Sequence, residues 1–147
     1  GMQVTGTLAY VDATLSEPST EGIVASAGDR LPYSARWSGS LSIDQEFPMD
    51  GGRSAFVGGD LSYVGDRLSF FPAASDIPRS EIPSYATLDL RAGITMSGWR
   101  IGAYAKNVTD ELGILNAEPE AADGSTGIYL LNVVNPRTFG ISVSHDF

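Results

Sequence analysis

Apolar and polar residues alternate with a period of two along several parts of the chain. The clearest case runs from Tyr85 to Met96, where the even positions are apolar and the odd positions are mostly polar or small. Successive side chains of a strand point to opposite faces of the sheet, so this pattern predicts a two-faced strand. In the first strand, Val11 and Ala13 break the phase and predict a β-bulge. The predicted strands span about 3–13, 36–47, 53–64, 85–96, 99–109 and 137–147.

The connections between the predicted strands alternate in length. Long segments follow the first, third and fifth strands, whereas the second and fourth are followed by PMDGGR (48–53) and by Ser97-Gly98. This order predicts an all-β fold, an antiparallel up-and-down meander of about six strands with every long loop at one end. Transmembrane barrels have such short periplasmic turns and longer extracellular loops. We therefore expect residues 1–147 to form one segment, a fragment of a larger transmembrane β-barrel.

The composition of the polar rows favours a membrane barrel over a soluble sheet. Charged residues make up only 18% of the chain, and the polar rows consist mainly of Ser, Thr and Gly. Small polar residues suit a polar lumen, whereas the solvated face of a soluble sheet usually carries Lys, Glu and Arg. Alternation alone leaves a second interpretation open, a soluble β-barrel or sandwich that binds a small apolar ligand. The net charge of −9 argues against nucleic acid as a partner.

No group of residues indicates catalysis, and the protein is not expected to be an enzyme. The chain has no Cys and a single His, His145, on the apolar row of the last predicted strand, so no triad, metal site or cofactor is predicted. The acidic segment 110–123 lacks the EF-hand spacing and is interpreted as a solvated loop. Four charged residues lie on the polar rows of adjacent predicted strands, where we expect them to face the lumen and to pair with each other or with a plug: Asp89, Arg91, Arg100 and Lys106.

Several stretches occur in an order that is typical of a known family. IPSYATLDLRAGI (82–94) is followed by a short turn and WRIGAYAKNVTDE (99–111), which ends on an Asn and a nearby Asp. GDRLPYSARWSGSLS (28–42) carries a Leu-Pro pair before a strand, and PRTFGISVSHDF (136–147) has a Gly seven residues before a final aromatic. Together these stretches resemble the C-terminal part of TonB-dependent outer-membrane receptors, the energised transporters of Gram-negative bacteria.

The resemblance implies a function, a location and a set of partners. It implies a wall and loop segment of an active transporter for a scarce ligand, such as a metal chelate, vitamin or glycan, in the lipid of the bacterial cell outer membrane. Gly140 and Phe147 match the signal that the barrel-assembly machinery recognises, although His145 departs from the aromatic common at its position. Such transporters have about 22 strands and a plugged lumen. The remaining barrel strands, the plug and an N-terminal part that contacts the inner-membrane energy-coupling complex are therefore expected upstream.

An isolated sheet of six strands would have two unpaired edges and an apolar face in water. We therefore expect the isolated chain to hide these surfaces in one of two ways. It would curl into a small barrel with its apolar rows inside, or it would self-associate through its edges or faces.

Overall fold

The computed structural model describes residues 1–19, 22–71, 79–119 and 129–146. Within these ranges the regular elements are β-strands, and no helix is long and apolar enough to cross a membrane. The strands are β1 (Met2–Tyr10), β2 (Trp37–Met49), β3 (Arg53–Val64), β4 (Arg67–Leu68), β5 (Glu81–Ile82), β6 (Tyr85–Met96), β7 (Trp99–Lys106), β8 (Ile114–Pro119), β9 (Tyr129–Val133) and β10 (Thr138–His145).

Six of these strands form one sheet in the order β1-β2-β3-β6-β7-β10, and every neighbouring pair is antiparallel. The predicted all-β meander of six strands is therefore confirmed. β7 ends at Lys106 rather than at residue 109, because Asn107 adopts a left-handed conformation with φ of 48°. The predicted bulge in the first strand is wrong. β1 pairs with β2 without a register shift and ends at Tyr10, so the break in phase falls in the connection that follows.

Two tight turns lie at one end of the sheet. Ser97 and Gly98, between β6 and β7, have φ of 50° and 79°, and Gly51 and Gly52, between β2 and β3, have φ of 74° and 69°. Positive φ at both central residues gives a turn whose twist matches that of the flanking strands. Because neighbouring strands are antiparallel, the long connections all leave from the opposite end, as the alternation of loop lengths predicts.

The long connections contain strands that the sequence pattern does not predict. We call residues 11–36 the first connection, 65–84 the second and 107–137 the third. The second holds the β4–β5 pair and the third holds the β8–β9 pair. β4 and β5 have two residues each, too few to show a period. The β8–β9 pairing shifts register between Ile114 and Asn116, which interrupts the alternation there.

The sheet exposes its apolar rows more than its polar rows. In β6 the apolar Leu90, Ile94 and Met96 are exposed, whereas Asp89 and Arg91 are half-buried. We call the apolar surface of the six-stranded sheet the apolar face and the opposite surface the polar face. The exposed apolar face comprises Val4, Leu8, Tyr10, Trp37, Leu41, Ile43, Phe47, Val57, Leu61, Tyr63, Leu90, Ile94, Met96, Trp99, Ile101, Phe139, Ile141 and Val143.

The most deeply buried side chains of the described residues lie outside this sheet. Ser69 and Ile82 are 0% and 1% exposed, and Arg67, Ala117 and Asn107 are nearly as buried. All of these residues belong to the second and third connections. The sheet itself is a single layer, and its packed region lies at the end where the long connections meet.

The sheet is open, and β1 and β10 are its two edges. The expectation that the chain curls into a small barrel with its apolar rows inside is therefore wrong. Side chains only just fill the interior of a barrel of about eight strands, so closing six would leave still less room for them. In the structure the rows that would have to fill such an interior are the exposed ones.

The isolated chain should instead self-associate in water. Its edge strands present unpaired backbone groups and its apolar face is exposed, and both surfaces drive association. Light scattering on the refolded 147-residue chain in detergent-free buffer should show oligomers that dissociate in detergent. Ile141→Ser should reduce this association, whereas Ser142→Thr, on the polar face of the same strand, should not. A stable monomer in detergent-free buffer would contradict the prediction.

Candidate functional site

One row of the polar face crosses the sheet from β2 to β10 and contains three polar or aromatic side chains and two glycines. The pairing register places its members opposite one another in the order Asp44, Gly58, Arg91, Tyr104 and Gly140. Directly opposed residues on one face of an antiparallel pair have Cβ atoms about 4.5–5.5 Å apart. The two glycines therefore give space to the long side chains beside them.

Arg91 is the centre of an ion-pair cluster on this row. Its Nη2 donates to both carboxylate oxygens of Asp44 at 2.7 Å, and its Nη1 donates to a carboxylate oxygen of Asp60. Asp60 also accepts a hydrogen bond from the Ser42 hydroxyl at 2.6 Å. Charge-assisted contacts of this kind are roughly twice as strong as neutral hydrogen bonds. The cluster thus joins β2, β3 and β6 through side chains as well as through the backbone.

Gly58 makes the long reach from Arg91 to Asp44 possible. Gly58 lies on β3 between the two residues, and a Cβ atom at this position would stand 2.8 Å from Arg91 Nε. Real Cβ atoms do not approach so closely, so any side chain at position 58 would displace the guanidinium. The sequence does place Asp44 and Asp60 on polar rows, but it does not reveal which strand registers bring them to Arg91.

Asp89 serves the end of the strand rather than the ion-pair cluster. Its carboxylate accepts a hydrogen bond from the Asn107 backbone N–H at 2.8 Å. The buried Asn107 side chain in turn donates to the carbonyls of Glu111 and Asn135 and accepts from the Glu111 N–H. Asp89 therefore positions the start of the third connection, where the chain leaves β7.

Arg100 and Lys106 lie over aromatic rings. The Arg100 guanidinium is 3.9 Å from the centre of the Phe56 ring, and Lys106 Nζ is 5.8 Å from that of Tyr104. Cations over aromatic faces are attracted by the ring quadrupole, by about 0.5–1 kcal/mol at exposed sites. In the described part of the chain, the contacts of Asp89, Arg91, Arg100 and Lys106 thus run to other residues and not to each other. That all four face a lumen stays a prediction.

Phe56 interrupts the alternation of β3, and the structure gives the reason. Its ring lies on the polar face above the two glycines that pair across β6 and β7, and a Cβ at Gly102 would be 3.2 Å from the ring. A Cβ at Gly93 would be closer still, at 2.5 Å from the ring. An aromatic over glycines covers backbone that would otherwise face solvent, an arrangement that also helps to fix strand register. In the sequence, Gly93 and Gly102 are the feature that could have indicated an aromatic ring above this part of the sheet.

Gly140 has a steric role of the same kind. It lies opposite Tyr104, and a Cβ at position 140 would overlap the Tyr104 ring. Phe147 lies outside the described residues. The role of Gly140 and Phe147 as an assembly signal therefore stays a prediction, while the packing of Tyr104 on Gly140 is an observed contact.

A cavity of about 510 Å³ lies at the loop end and is lined by Arg30, Arg36, Asp66, Leu68, Glu81, Ile82 and Pro83. Arg30 Nη1 donates to Asp66 at 2.8 Å, and this hydrogen bond holds the pKa of the Asp66 carboxyl below its usual range. The charges of the two signs balance across the lining. Among the described residues, no three His, Cys, Asp or Glu side chains come together in a group that could hold a metal ion. The arrangement can bind and orient polar groups, and it contains no assembled nucleophile and base.

Gly58→Ala should destabilise the sheet by about 1 kcal/mol or less, since the new methyl group displaces the flexible ends of Arg91 and Asp44 and weakens their partly exposed ion pair. Thermal unfolding of the intact protein in detergent, followed by circular dichroism, would measure the loss. Gly6→Ala is the matched control, because a Cβ on this β1 glycine meets nothing closer than 3.9 Å. Equal effects of the two substitutions would contradict the steric role of Gly58.

Gly140→Ala should reduce the folded fraction of the protein, because the added methyl group overlaps the Tyr104 ring. Adding Tyr104→Ser should restore the folded fraction by removing that ring. Resistance of the folded barrel to unfolding by SDS without heating is a suitable measurement, with Thr138→Ala on the same strand as a control. If Tyr104→Ser brings no recovery, the effect of residue 140 is not steric.

Most of the six-stranded sheet lies in a part of the chain that matches a known family. A family model described as TonB dependent receptor-like, beta-barrel, matches residues 1–108, which include β1 to β7 and the Arg91 cluster. No curated protein and no solved structure matches the chain. Members of the matched family are outer-membrane transporters rather than enzymes. Since the match covers 108 of the 147 residues, the chain belongs to the TonB-dependent receptor-like β-barrel family.

Proposed function

We propose that this chain is a wall and loop segment of an active transporter in the bacterial outer membrane. Its polar face lines the lumen, its apolar face contacts lipid, and its long connections face the cell exterior. The observation that carries the proposal is the inverted exposure of the sheet, in which apolar rows are exposed and charged residues are shielded by one another. A sheet that evolved against water would show the opposite arrangement.

The dimensions of the apolar face fit a bilayer. Ring contacts lie at both ends of the face, Tyr10 with Trp37 at the loop end and Trp99 with His145 at the turn end. On β2 the aromatics Trp37 and Phe47 are ten positions apart (47 − 37), or about 33 Å along a strand. With a strand tilt of roughly 40°, this distance spans about 25 Å of membrane, the usual height of the apolar band between aromatic girdles.

Charge placement agrees with this orientation. Apart from Arg53 at the turn end of β3, the ionised side chains of the six-stranded sheet lie on the polar face, as Asp44, Asp60 and Arg91 show. An Arg or Lys on the lipid face at the bilayer midplane would cost about 2–4 kcal/mol. Every interior strand of the six-stranded sheet also pairs with a neighbour on each side, as a lipid environment requires of a spanning sheet.

In the proposed transporter the chain itself does no covalent chemistry. The long connections contribute to capture of a scarce ligand, such as a metal chelate, vitamin or glycan. Further barrel strands and a plug complete the lumen, and an N-terminal part contacts the inner-membrane energy-coupling complex. The barrel-assembly machinery inserts the protein, and Gly140 and Phe147 belong to the strand that it recognises.

Site-directed spin labelling of the intact protein tests the orientation, and this chain contributes no native Cys that would compete for the label. Neighbouring positions form matched pairs at one depth: Leu41→Cys with Ser40→Cys, and Ile141→Cys with Ser142→Cys. Labels at 41 and 141 should be relaxed by lipid-soluble oxygen, and labels at 40 and 142 by a water-soluble nickel chelate.

Cell fractionation of the same variants should recover the protein in the outer membrane. The proposal fails if the protein is freely soluble, with the labels at 41 and 141 protected from both reagents. That outcome would favour the soluble β-barrel or sandwich with an apolar interior.

A further inference from the structure

The three long connections are joined to one another by buried side chains. Each connection contains a backbone carbonyl that accepts a hydrogen bond from a side chain of a different connection: Arg30 in the first, Asp66 in the second and Ala117 in the third. The described side chains with the least exposure also lie here, among them Ser69 at 0% and Arg67 at 6%. The loop end is therefore packed, while the sheet below it is a single layer.

Tyr33 connects the first connection to both of the others. Its backbone N–H donates to the Leu68 carbonyl at 2.8 Å, and its hydroxyl donates to the Ala117 carbonyl at 3.1 Å. The residue adopts a left-handed φ of 57°, which is unusual for an aromatic side chain. Burial, followed by the Glu118 carboxylate, raises the pKa of Tyr33, so the hydroxyl keeps its proton and remains a donor.

Two arginines of the second connection complete the links. The Arg67 guanidinium donates to the carbonyls of Ile114 and Leu115 on β8, and it lies 5.5 Å from the centre of the Tyr85 ring. Arg79 Nη1 donates to the Arg30 carbonyl at 2.8 Å, and its Nη2 donates to the Ser69 carbonyl at 2.9 Å. The second connection thus contacts both the third and the first.

These bonds satisfy carbonyls at positions where β8 has no further strand beside it. In the described residues β8 pairs with β9 on one side, and the donors Arg67 and Tyr33 bond to β8 carbonyls from other connections. A buried carbonyl that loses its donor is costly to leave unpaired. Loss of one donor therefore favours release of the whole hairpin from the first and second connections.

We propose that the described parts of the three long connections (11–19 and 22–36, 65–71 and 79–84, 107–119 and 129–137) open and close as one unit, which we call the loop hub and which Tyr33, Arg67 and Arg79 hold together. A contact made at one connection then changes the conformational equilibrium of the other two. Hydrogen-bond networks between coupled parts can carry coupling of this kind, and the hub provides such a network. The inference goes beyond the proposed transport function, since it concerns how the connections move and names no ligand.

Hydrogen exchange of the intact protein in detergent, measured by mass spectrometry, tests the loop hub. Tyr33→Phe removes only the hydroxyl that reaches Ala117. Amides in all three connections, at 31–33, 68–69 and 114–118, should then exchange faster by a common factor of about ten. Tyr63→Phe, on the apolar face of β3, is the matched control and should leave these rates unchanged. Unchanged exchange in β3 and β6 would show that the sheet remains folded.

A second variant distinguishes coupled opening of the connections from a loss of stability confined to β8. Arg67→Met removes the links from the second connection to β8 and should accelerate exchange in the first connection too, although Arg67 donates no bond to it. Arg67→Lys, which keeps the charge and a single donor nitrogen in place of the two that Arg67 uses, should restore part of the protection. Faster exchange confined to 114–118 in both Tyr33→Phe and Arg67→Met would overturn the proposal.

Discussion

The structure depends on how a single sheet keeps charged residues on one face without a second layer to cover them. Arg91 on β6 pairs with Asp60 on β3 and with Asp44 on β2, so these three charges partly neutralise one another. The cluster thus balances part of its own charge on the polar face, while the apolar face remains exposed. This division of the two faces agrees with the lack of a central core between layers in the described residues.

Glycines complete this arrangement by making room for large side chains on the crowded polar face. Gly58 gives space to Arg91, and Gly140 gives space to Tyr104. The same lack of side chains at Gly93 and Gly102 lets the Phe56 ring reach over two further strands, with Arg100 over the ring. High glycine content in this chain therefore reflects close packing on a sheet surface and not flexibility alone.

Much of the sheet could be predicted from the sequence, because period-two alternation is a direct consequence of strand geometry. Tyr85–Met96 shows this best, since its predicted and observed bounds agree. The ion-pair cluster could not be predicted in the same way, because Arg91 meets Asp44 only through the registers of two strand pairs. Register depends on contacts across the sheet, which alternation within one strand does not report.

The loop end was less predictable for a different reason. The β4–β5 pair is too short to show a period, and the links made by Tyr33 run to carbonyl groups, which every residue carries. A side chain that bonds to a backbone carbonyl does not require any particular residue type at the other position. The sequence therefore carries no pattern that marks the two partners.

The interlocking of Gly140 with Tyr104 has a consequence for how such sequences can diverge. The two residues sit on adjacent strands but far apart along the chain, with the whole third connection between them. A larger residue can replace Gly140 only after a smaller residue has replaced Tyr104. The order in which the two mutations arise is therefore restricted. Descendants should therefore keep the pair or exchange it as a pair, however freely the intervening loop drifts.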